Sequence, residues 1–259
     1  MTFARELLGL LVPVECAGCG LDDVAWCASC ARRLAGRLWR CEDRATRLDR
    51  MDGRGPLPVW TLADCTGHVR RAVVAWKDRG RLDLTRPFAA ALGSAAEGLS
   101  VDVGAGPLLV VPCPSTAAAR RRRGGNLVDA LAVGVGNGLV GAGVPAWPAP
   151  VLVRSRGHDQ VGLGARERAR NLAGHVRVPT RHRARLADRD VLVVDDVLTT
   201  GATVAACRST LERAGARVIG AVTLASTPGP QSVPRLPPAR ECPLGDPSPG
   251  RVVRGLARG

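Results

Sequence analysis

Two adjacent carboxylates follow an unbroken apolar run in the last third of the chain. The run, Val191 to Val194, consists of β-forming residues, which is typical of a central strand buried on both faces of a parallel sheet. Asp195 and Asp196 come next, and a turn of small residues, T-T-G-A-T at 199–203, then enters a helical pattern. The order predicts a strand, a loop and a helix, with the two acids at the junction.

The chemistry of this junction favours a sugar phosphate. A turn of small residues before a helix presents free backbone N–H groups and the positive end of the helix dipole, which together bind phosphate. Carboxylates repel phosphate but accept hydrogen bonds from hydroxyl groups, and a vicinal diol offers two donors. A ribose 5-phosphate has both groups, a phosphate for the turn and a vicinal diol for the carboxylates. The alternative is an ordinary buried strand with an acidic turn and a capped helix.

The stretch V-V-D-D-V-L-T-T-G-A-T resembles the phosphoribosyl diphosphate (PRPP) signature of type I phosphoribosyltransferases. The resemblance implies that the paired acids hold the ribose hydroxyls, that the loop holds the 5-phosphate and that Mg²⁺ binds with PRPP. The implied ligand contacts are Asp195, Asp196, Thr199, Thr200, Gly201, Ala202 and Thr203. A Walker P-loop is excluded because the chain has no G-x-x-x-x-G-K-[ST].

Four cysteines near the N-terminus have the spacing of a metal site. Cys16, Cys19, Cys27 and Cys30 form two C-x-x-C pairs, and each pair can bend as a knuckle that offers two thiolates to one tetrahedral zinc ion. Four cysteine ligands leave no open position for chemistry, so the sequence predicts a structural zinc. Reduced cysteines or two vicinal disulfide pairs are the alternatives.

Charge and composition bound the class of protein. The chain has 259 residues and a net charge of +14, and Lys77 is its single lysine among 37 basic residues. The excess of arginine fits either a coding bias or a surface for polyanions such as single-stranded DNA or PRPP. The apolar run Leu7 to Val14 is far shorter than the roughly 20 residues of a membrane span. The cysteine usage favours a cytoplasmic protein with metal sites and free thiols.

A wider set of motifs resembles the ComF family of competence-associated proteins. Lys77 and Gly80-Arg81 match its K-x-R-G-R segment, and the strand Leu108 to Val111 runs into Pro112-Cys113-Pro114, where the family has V-P-V-P. The family's R-G-F-N-Q is R-G-G-N-L here, without the aromatic residue and the glutamine, which argues against base stacking at this place. Its Q-x-x-L and R-x-x-N are matched by Gln160, Leu163, Arg168 and Asn171.

The resemblance implies roles for several basic and loop residues. Backbone groups at Pro112 and Cys113 would face the pyrophosphate, and packing is the expected role of the Cys113 thiol. Arg123, in the run of four arginines at 120–123, and Lys77 would stabilise the departing diphosphate. The alternatives are a solvated arginine face and, for Lys77, a solvated helix end. Cys41 and Cys65 lack C-x-x-C partners, so no second zinc is expected. The letters G-x-G-x-x-G at 136–141 follow a helical pattern rather than a strand, so they do not indicate a dinucleotide site.

The predicted architecture is an α/β phosphoribosyltransferase-like domain, with a mostly parallel sheet flanked by helices, behind a small four-cysteine zinc module. The module covers 1–50, the core 56–227 and a disordered Pro/Arg-rich tail 228–259, and residues 42–56 are expected to form a linker. Further strands are predicted at Val151 to Val153 and at Arg217 to Leu224, the latter beside Val191 to Val194.

The predicted function is transfer of a phosphoribosyl group from PRPP, with Mg²⁺, to an acceptor that the sequence does not identify. The family resemblance also implies an alternative, a non-catalytic single-stranded-DNA-binding factor that works with competence or DNA-uptake proteins. A PRPP-responsive regulator is a third hypothesis. The scarcity of aromatic residues, 3 % of the chain, favours the transferase because single-strand binders use aromatic stacking platforms.

Overall fold

The computed structural model describes residues 14–48, 55–154 and 176–229. Several of the sequence motifs lie outside these ranges. They are most of the run from Leu7, the motif residues Gln160, Leu163, Arg168 and Asn171, and the tail from residue 230.

A six-stranded sheet forms the centre of the molecule, in the order β1-β2-β8-β7-β3-β4. Its strands β2, β8, β7, β3 and β4 run parallel, and only β1 pairs antiparallel, with β2. The strands are β1 (Trp39–Arg40), β2 (Val59–Asp64), β3 (Leu108–Pro112), β4 (Ala146–Pro148), β7 (Asp190–Leu198) and β8 (Arg217–Ser226). This arrangement confirms the predicted mostly parallel α/β fold.

Strand β7 lies inside the sheet between β3 and β8, as its unbroken apolar run predicts. The side chains alternate across the sheet. Leu192 and Val194 enter the core on one face, whereas Val191 and Val193 enter the core on the other. All four are fully buried, so the strand contacts apolar layers on both sides.

Helices cover both faces of this sheet. One face packs against α2 (Gly67–Asp78), α3 (Thr85–Ala96) and α6 (Leu127–Gly141), and the other against α8 (Ala202–Glu212). Four shorter helices also lie in the described residues, namely α1 (Ala28–Arg32), α4 (Ser100–Val103), α5 (Ala117–Arg123) and α7 (Thr180–Arg183). Within the described residues, no helix is long and apolar enough to cross a membrane.

Helix α6 is longer than the sequence predicts, because it includes the glycine-rich letters at 136–141. The glycines permit a close crossing with α3. A Cβ at Gly134 would meet the backbone oxygen of Ala89, and one at Gly138 would meet that of Gly93. The G-x-G-x-x-G letters therefore belong to a helix–helix contact, which agrees with their exclusion as a dinucleotide site.

The linker prediction is wrong for residues 42–48. These residues form two 3₁₀ turns, Glu42–Arg44 and Thr46–Leu48, in the connection between β1 and β2. Ala45 and Leu48, three residues apart, are buried against the core on the α8 side. Apolar packing therefore holds this segment, although its charged composition does not indicate it.

The strand predicted at 151–153 is only partly present in the structure, as one of two short paired strands. Only Val153–Arg154 (β5) is extended there, and it pairs antiparallel with Val176–Arg177 (β6) in a separate two-stranded sheet. The sixth strand of the main sheet is instead β4, beside β3. Its residues Trp147 and Pro148 gave no strand signal, because proline is confined to edges and an exposed strand shows no buried run.

Candidate functional site

The paired carboxylates lie on β7 itself, which continues to Leu198, four residues beyond the predicted end of the strand. Successive side chains of a strand point to opposite faces, so the two acids do not stand side by side. Asp195 continues the row of Val191 and Val193, and Asp196 continues the row of Leu192 and Val194. Both are largely buried, at 8 % and 9 % exposure.

Asp195 is a buried carboxyl group whose pKa is raised toward neutral pH. Its Oδ1 accepts a hydrogen bond from the backbone N–H of Asp196 at 2.9 Å. Burial, and next the charge of Asp196, raise the pKa of Asp195 to about 7, although the backbone hydrogen bond from Asp196 and then the charge of Lys77 oppose the rise. A carboxyl group with this pKa exchanges its proton in the pH range in which cells work.

Asp196 faces helix α2 and pairs with the lysine of the chain. Lys77 Nζ donates to Asp196 Oδ1 at 2.9 Å, and the same oxygen accepts from the N–H of Val197 at 2.7 Å. Burial lowers the pKa of Lys77, but the charge and hydrogen bond of Asp196 outweigh burial, so the pKa is raised. Lys77 is therefore a cation held at the carboxyl end of β7 rather than a solvated helix end.

The turn that follows the acids is open to solvent. Thr199 and Thr200 are exposed, Gly201 adopts φ +77°, and α8 begins at Ala202. A Cβ at Gly201 would lie 2.8 Å from Leu48 Cγ and 3.0 Å from Ala45 Cβ. Glycine is thus required at this position by its backbone conformation and by its neighbours. The turn places the N-terminus of an 11-residue helix at the carboxyl end of β7, where it can bind an anion.

The loop after β3 lies beside Asp195. The backbone N–H of Cys113 donates to Val194 O at 2.8 Å, and Cys113 Sγ is 3.5 Å from Cys207 Sγ on α8. A hydrogen bond with Cys207, and then burial, raise the pKa of the Cys113 thiol well above its usual value. Both sulfurs are buried, which supports the packing role predicted for Cys113.

Asn126 fixes the geometry of this loop from the start of α6. Its Nδ2 donates to Cys113 O at 3.2 Å, and Ser115 Oγ lies 2.6 Å from its Oδ1. Asn126 is the asparagine of the R-G-G-N letters, so that motif holds the β3 loop even without the aromatic residue of the related pattern.

Arg123 reaches the same end of α2 as Lys77. Its Nη2 lies 3.3 Å from Asp78 Oδ1, and the guanidinium side chain is only 13 % exposed. The other arginines of the run, 120–122, are exposed. Arg123 therefore pairs with the residue that follows Lys77, although the two segments are far apart in the sequence, and the contact with the acids of β7 is made by Lys77.

The four N-terminal cysteines form one cluster. Their sulfur atoms all lie within 4.8 Å of one another, the four residues are buried, and none is in a disulfide. Cys19 Sγ and Cys27 Sγ are 3.6 Å apart, close to the roughly 3.8 Å expected between two sulfurs at about 2.3 Å from a tetrahedral zinc. The cluster can therefore hold a metal ion as the spacing predicts.

Backbone N–H groups in the cluster stabilise the negative charge of the Cys16 thiolate. Burial raises the pKa of Cys16, but backbone hydrogen bonds at Cys19, Cys27 and Gly18 outweigh burial and bring it to about 6. Burial and the charge of Cys16 raise the pKa of Cys30. Gly18 has no room for a side chain, since its Cβ would lie 2.6 Å from Cys30 Sγ.

Arg81 attaches the cysteine cluster to the core. Its Nη1 and Nη2 donate to the carbonyls of Glu15 and Ala25 at 2.9 and 3.0 Å, while Asp83 accepts from the same guanidinium. Trp26 adds an edge-on contact with Phe88, with ring centroids 5.6 Å apart. The arginine of the K-x-x-G-R letters thus has a structural role.

Comparison with known proteins identifies the core. A family model described as the phosphoribosyl transferase domain matches residues 82–240, more than half of the chain. The chain belongs to this family. The chain is 59 % identical over 39 residues to an adenine phosphoribosyltransferase of Mycolicibacterium vanbaalenii. That match covers 15 % of this chain and 22 % of the relative, about a fifth of its length.

Two solved structures are also similar to the phosphoribosyltransferase domain. One, titled as a glutamic acid mutant in an analysis of an invariant aspartic acid in HPRTs, has 16 % identity and a TM-score of 0.35, over 59 % of this chain and 73 % of that one. The other is a hypoxanthine phosphoribosyltransferase from Staphylococcus aureus, with 17 % identity and a TM-score of 0.32, over 56 % and 65 %.

The described residues before the family match also form a buried ion pair that the sequence did not reveal. Arg44 Nη1 contacts Asp64 Oδ1 at the end of β2 and Ser226 Oγ, 2.9 Å away, at the end of β8. Both charged side chains are at most 5 % exposed, and the Arg44 guanidinium stacks 4.5 Å from the centroid of the Trp39 ring. The partners are distant in sequence, and Arg44 falls where a linker was expected.

Proposed function

We propose that the protein is a PRPP-binding phosphoribosyltransferase of the ComF type, which transfers a phosphoribosyl group to an acceptor still to be identified. One observation carries the proposal: Asp195 and Asp196 lie two residues before an open turn at the N-terminus of α8, and Lys77 donates a hydrogen bond to Asp196. Carboxylates suit a diol, and the turn suits a phosphate. This arrangement supports a pentose phosphate at the carboxyl end of β7.

The ligand would take the positions that its charges dictate. The 5-phosphate lies on the turn formed by Thr199, Thr200, Gly201, Ala202 and Thr203, and the ribose hydroxyls donate to the acids. Because Lys77 already occupies Asp196 Oδ1, the diol competes with the ammonium group for this oxygen. Lys77 then turns toward the diphosphate, together with Arg123, and backbone groups at Pro112 and Cys113 line the diphosphate site.

The reaction is a substitution at C1 of the ribose. A nucleophile forms a bond to C1 while the bond from C1 to the diphosphate oxygen breaks, and pyrophosphate leaves with the electron pair. The cations Lys77 and Arg123 stabilise the negative charge that develops on it. Asp195, whose pKa is about 7, can accept the proton that the nucleophile loses.

Two metal ions belong to the proposal. Asp195 and Asp196 supply the carboxylate oxygens that Mg²⁺ takes beside substrate phosphates, and the ion would screen the diphosphate charge. The cluster of Cys16, Cys19, Cys27 and Cys30 supplies four sulfur ligands for a structural zinc, which needs the reduced thiols of the cytoplasm.

Calorimetric titration with PRPP and Mg²⁺ tests the proposal. We expect heat of binding from the parent protein and none from the Asp195→Asn, Asp196→Asn double variant. A matched double variant at the exposed acids Asp43 and Asp102 should bind as the parent does. Absence of heat from the parent would end the proposal, and equal heats from parent and site variant would remove the two acids from the site.

Single-stranded DNA binding is the second candidate, favoured by exposed arginines around α7. Arg177, Arg181, Arg183, Arg185 and Arg189 are all exposed. Anisotropy of a labelled single strand distinguishes the candidates. Salt-sensitive DNA binding in a protein that takes up no PRPP would favour an accessory factor for DNA uptake. PRPP binding without pyrophosphate release in the presence of candidate acceptors would favour a regulator.

A further inference from the structure

A second concave site lies between the first C-x-x-C turn and helix α2. It is a cavity of about 400 Å³, lined on one side by Cys16, Gly18 and Gly20 and on the other by residues of α2 and the segment after it. Its volume falls in the range of small-ligand sites, which is about 300 to 1,000 Å³. The cavity is separate from the carboxyl edge of β7, toward which Lys77 of the same helix points.

Four arginines line this cavity. Arg81 is already committed to Asp83 and to two carbonyls of the cysteine module. Arg70, Arg71 and Arg79 form no ion pair within the described part of the chain, and all three are exposed. Glu15 supplies a carboxylate to the same lining. The arginines bring more positive charge than this one carboxylate neutralises.

We propose that this cavity binds the phosphate or diphosphate group of a small anionic ligand. Guanidinium groups form forked, charge-assisted hydrogen bonds with phosphate oxygens, and three uncommitted forks around one cavity suit an anion with two or more negative charges. A diphosphate of nucleotide size fits the volume. The inference stands apart from the proposed function, since it uses none of the sugar-phosphate residues.

A competing explanation is that the arginines only neutralise the cysteine cluster. Cys16 lines the cavity, and its charge contributes, after the hydrogen bond with Asp83, to raising the pKa of Arg81. The two explanations predict different results. A purely neutralising role requires that loss of the arginines weakens metal retention, whereas an anion site requires that it weakens phosphate binding and leaves the metal in place.

Titration of the full-length protein with inorganic pyrophosphate, followed by hydrogen exchange, tests the inference. We expect pyrophosphate to protect peptides that cover 16–20 and 70–81. The Arg71→Ala, Arg79→Ala variant should bind at this site about tenfold or more weakly, with unchanged metal content and unchanged PRPP binding. The matched control Arg183→Ala, Arg185→Ala loses the same charge at exposed positions outside the cavity and should bind normally.

Three results would overturn the inference: no protection at 16–20 and 70–81, equal binding by the cavity variant and its control, or loss of metal from the cavity variant. Loss of PRPP binding in the Asp195→Asn, Asp196→Asn variant leaves the cavity result unaffected, so failure of either proposal is seen separately.

The source of the phosphate is distinguished by comparing AMP with short oligonucleotides that carry a 5′-phosphate or a 5′-hydroxyl. Binding of AMP supports a free nucleotide, and binding of the 5′-phosphorylated strand alone supports a strand end. Equal binding of both strands, without binding of AMP, would contradict the inference, because it would indicate contact with a nucleic-acid backbone rather than with a terminal phosphate.

Discussion

The cysteine cluster and the carboxyl edge of β7 both bury charged or ionisable groups, but in opposite ways. In the cluster, four identical ligands converge within 4.8 Å, and backbone N–H groups point at the sulfurs. At the carboxyl end of β7, two acids lie on opposite faces of the strand, beside an exposed turn. Asp195 is buried, and Asp196 accepts a hydrogen bond from Lys77. The cluster is closed on itself, whereas the edge is open.

The difference is the one expected between a structural site and a chemical one. A closed set of four sulfurs has no position left for a substrate, and its geometry serves to hold the N-terminal residues on α2 and α3. The carboxyl end of β7 carries Asp195, whose pKa is raised, and Lys77, whose hydrogen bond to Asp196 a ligand can displace. Burial of charge at a cost in stability is typical of sites that bind or react.

The largest expected effect comes from opening the closed site. Replacement Cys30→Ser removes a fully buried ligand, and we expect loss of bound zinc and of about 3 kcal/mol or more in the free energy of unfolding. Zinc stoichiometry and thermal unfolding measure both. Cys65→Ser, at a half-buried cysteine outside the cluster, should retain the metal, and a metal-free parent protein would refute the zinc module.

The next effect concerns the support of the open turn. Gly201 and Gly124 share a positive φ, +77° and +71°, but only Gly201 is crowded, by Leu48 and Ala45. We expect Gly124→Ala to cost about 1 kcal/mol, and Gly201→Ala about 2 to 4 kcal/mol because overpacking is added. Urea unfolding gives both values. Equal costs would show that residues 45–48 do not hold the turn.

A smaller effect follows from the pKa of Asp195. The folded state keeps this proton up to about pH 7, whereas the unfolded chain releases it near the ordinary aspartate pKa of 3.8. Between these values the native state binds more protons, so this group's contribution makes stability fall as pH rises. Asp195→Asn should therefore stabilise the protein more at pH 8 than at pH 5, as urea midpoints would show.

The exposed residue Asp43 provides the control, because Asp43→Asn should not produce this pH dependence. If Asp195→Asn has the same effect on the midpoint at both pH values, Asp195 is not a proton-holding group, and the contrast between the two regions loses its electrostatic part.

The smallest change in stability is expected at Lys77. Its side chain is 31 % exposed, so Lys77→Met should alter the free energy of unfolding by no more than about 1 kcal/mol. Turnover should fall about 100-fold, because a donor to the leaving diphosphate is lost. Lys77→Arg retains the charge and should recover part of the activity. Full activity in the methionine variant would exclude Lys77 from the reaction.

The sequence predicted the features that are local and missed those that depend on distant contacts. Val191 to Val194 identified the inner strand, since an unbroken apolar run has few other uses, and the doubled C-x-x-C identified the sulfur cluster. Arg44 was missed because its partner Asp64 is 20 residues away and Ser226 is 182 away. The divergence of Asp195 and Asp196 became visible only once β7 proved to continue through them.

Strand β2 and helix α2 precede residue 82, where the family match begins. A fragment cut at that boundary would lose Lys77 and would uncover the edge of β8 that pairs with β2, from Ala221 to Ser226. An apolar strand with unpaired backbone groups is a template for aggregation. Recombinant versions of this enzyme-like core should therefore start upstream of Trp39, so that the outer strands come with it.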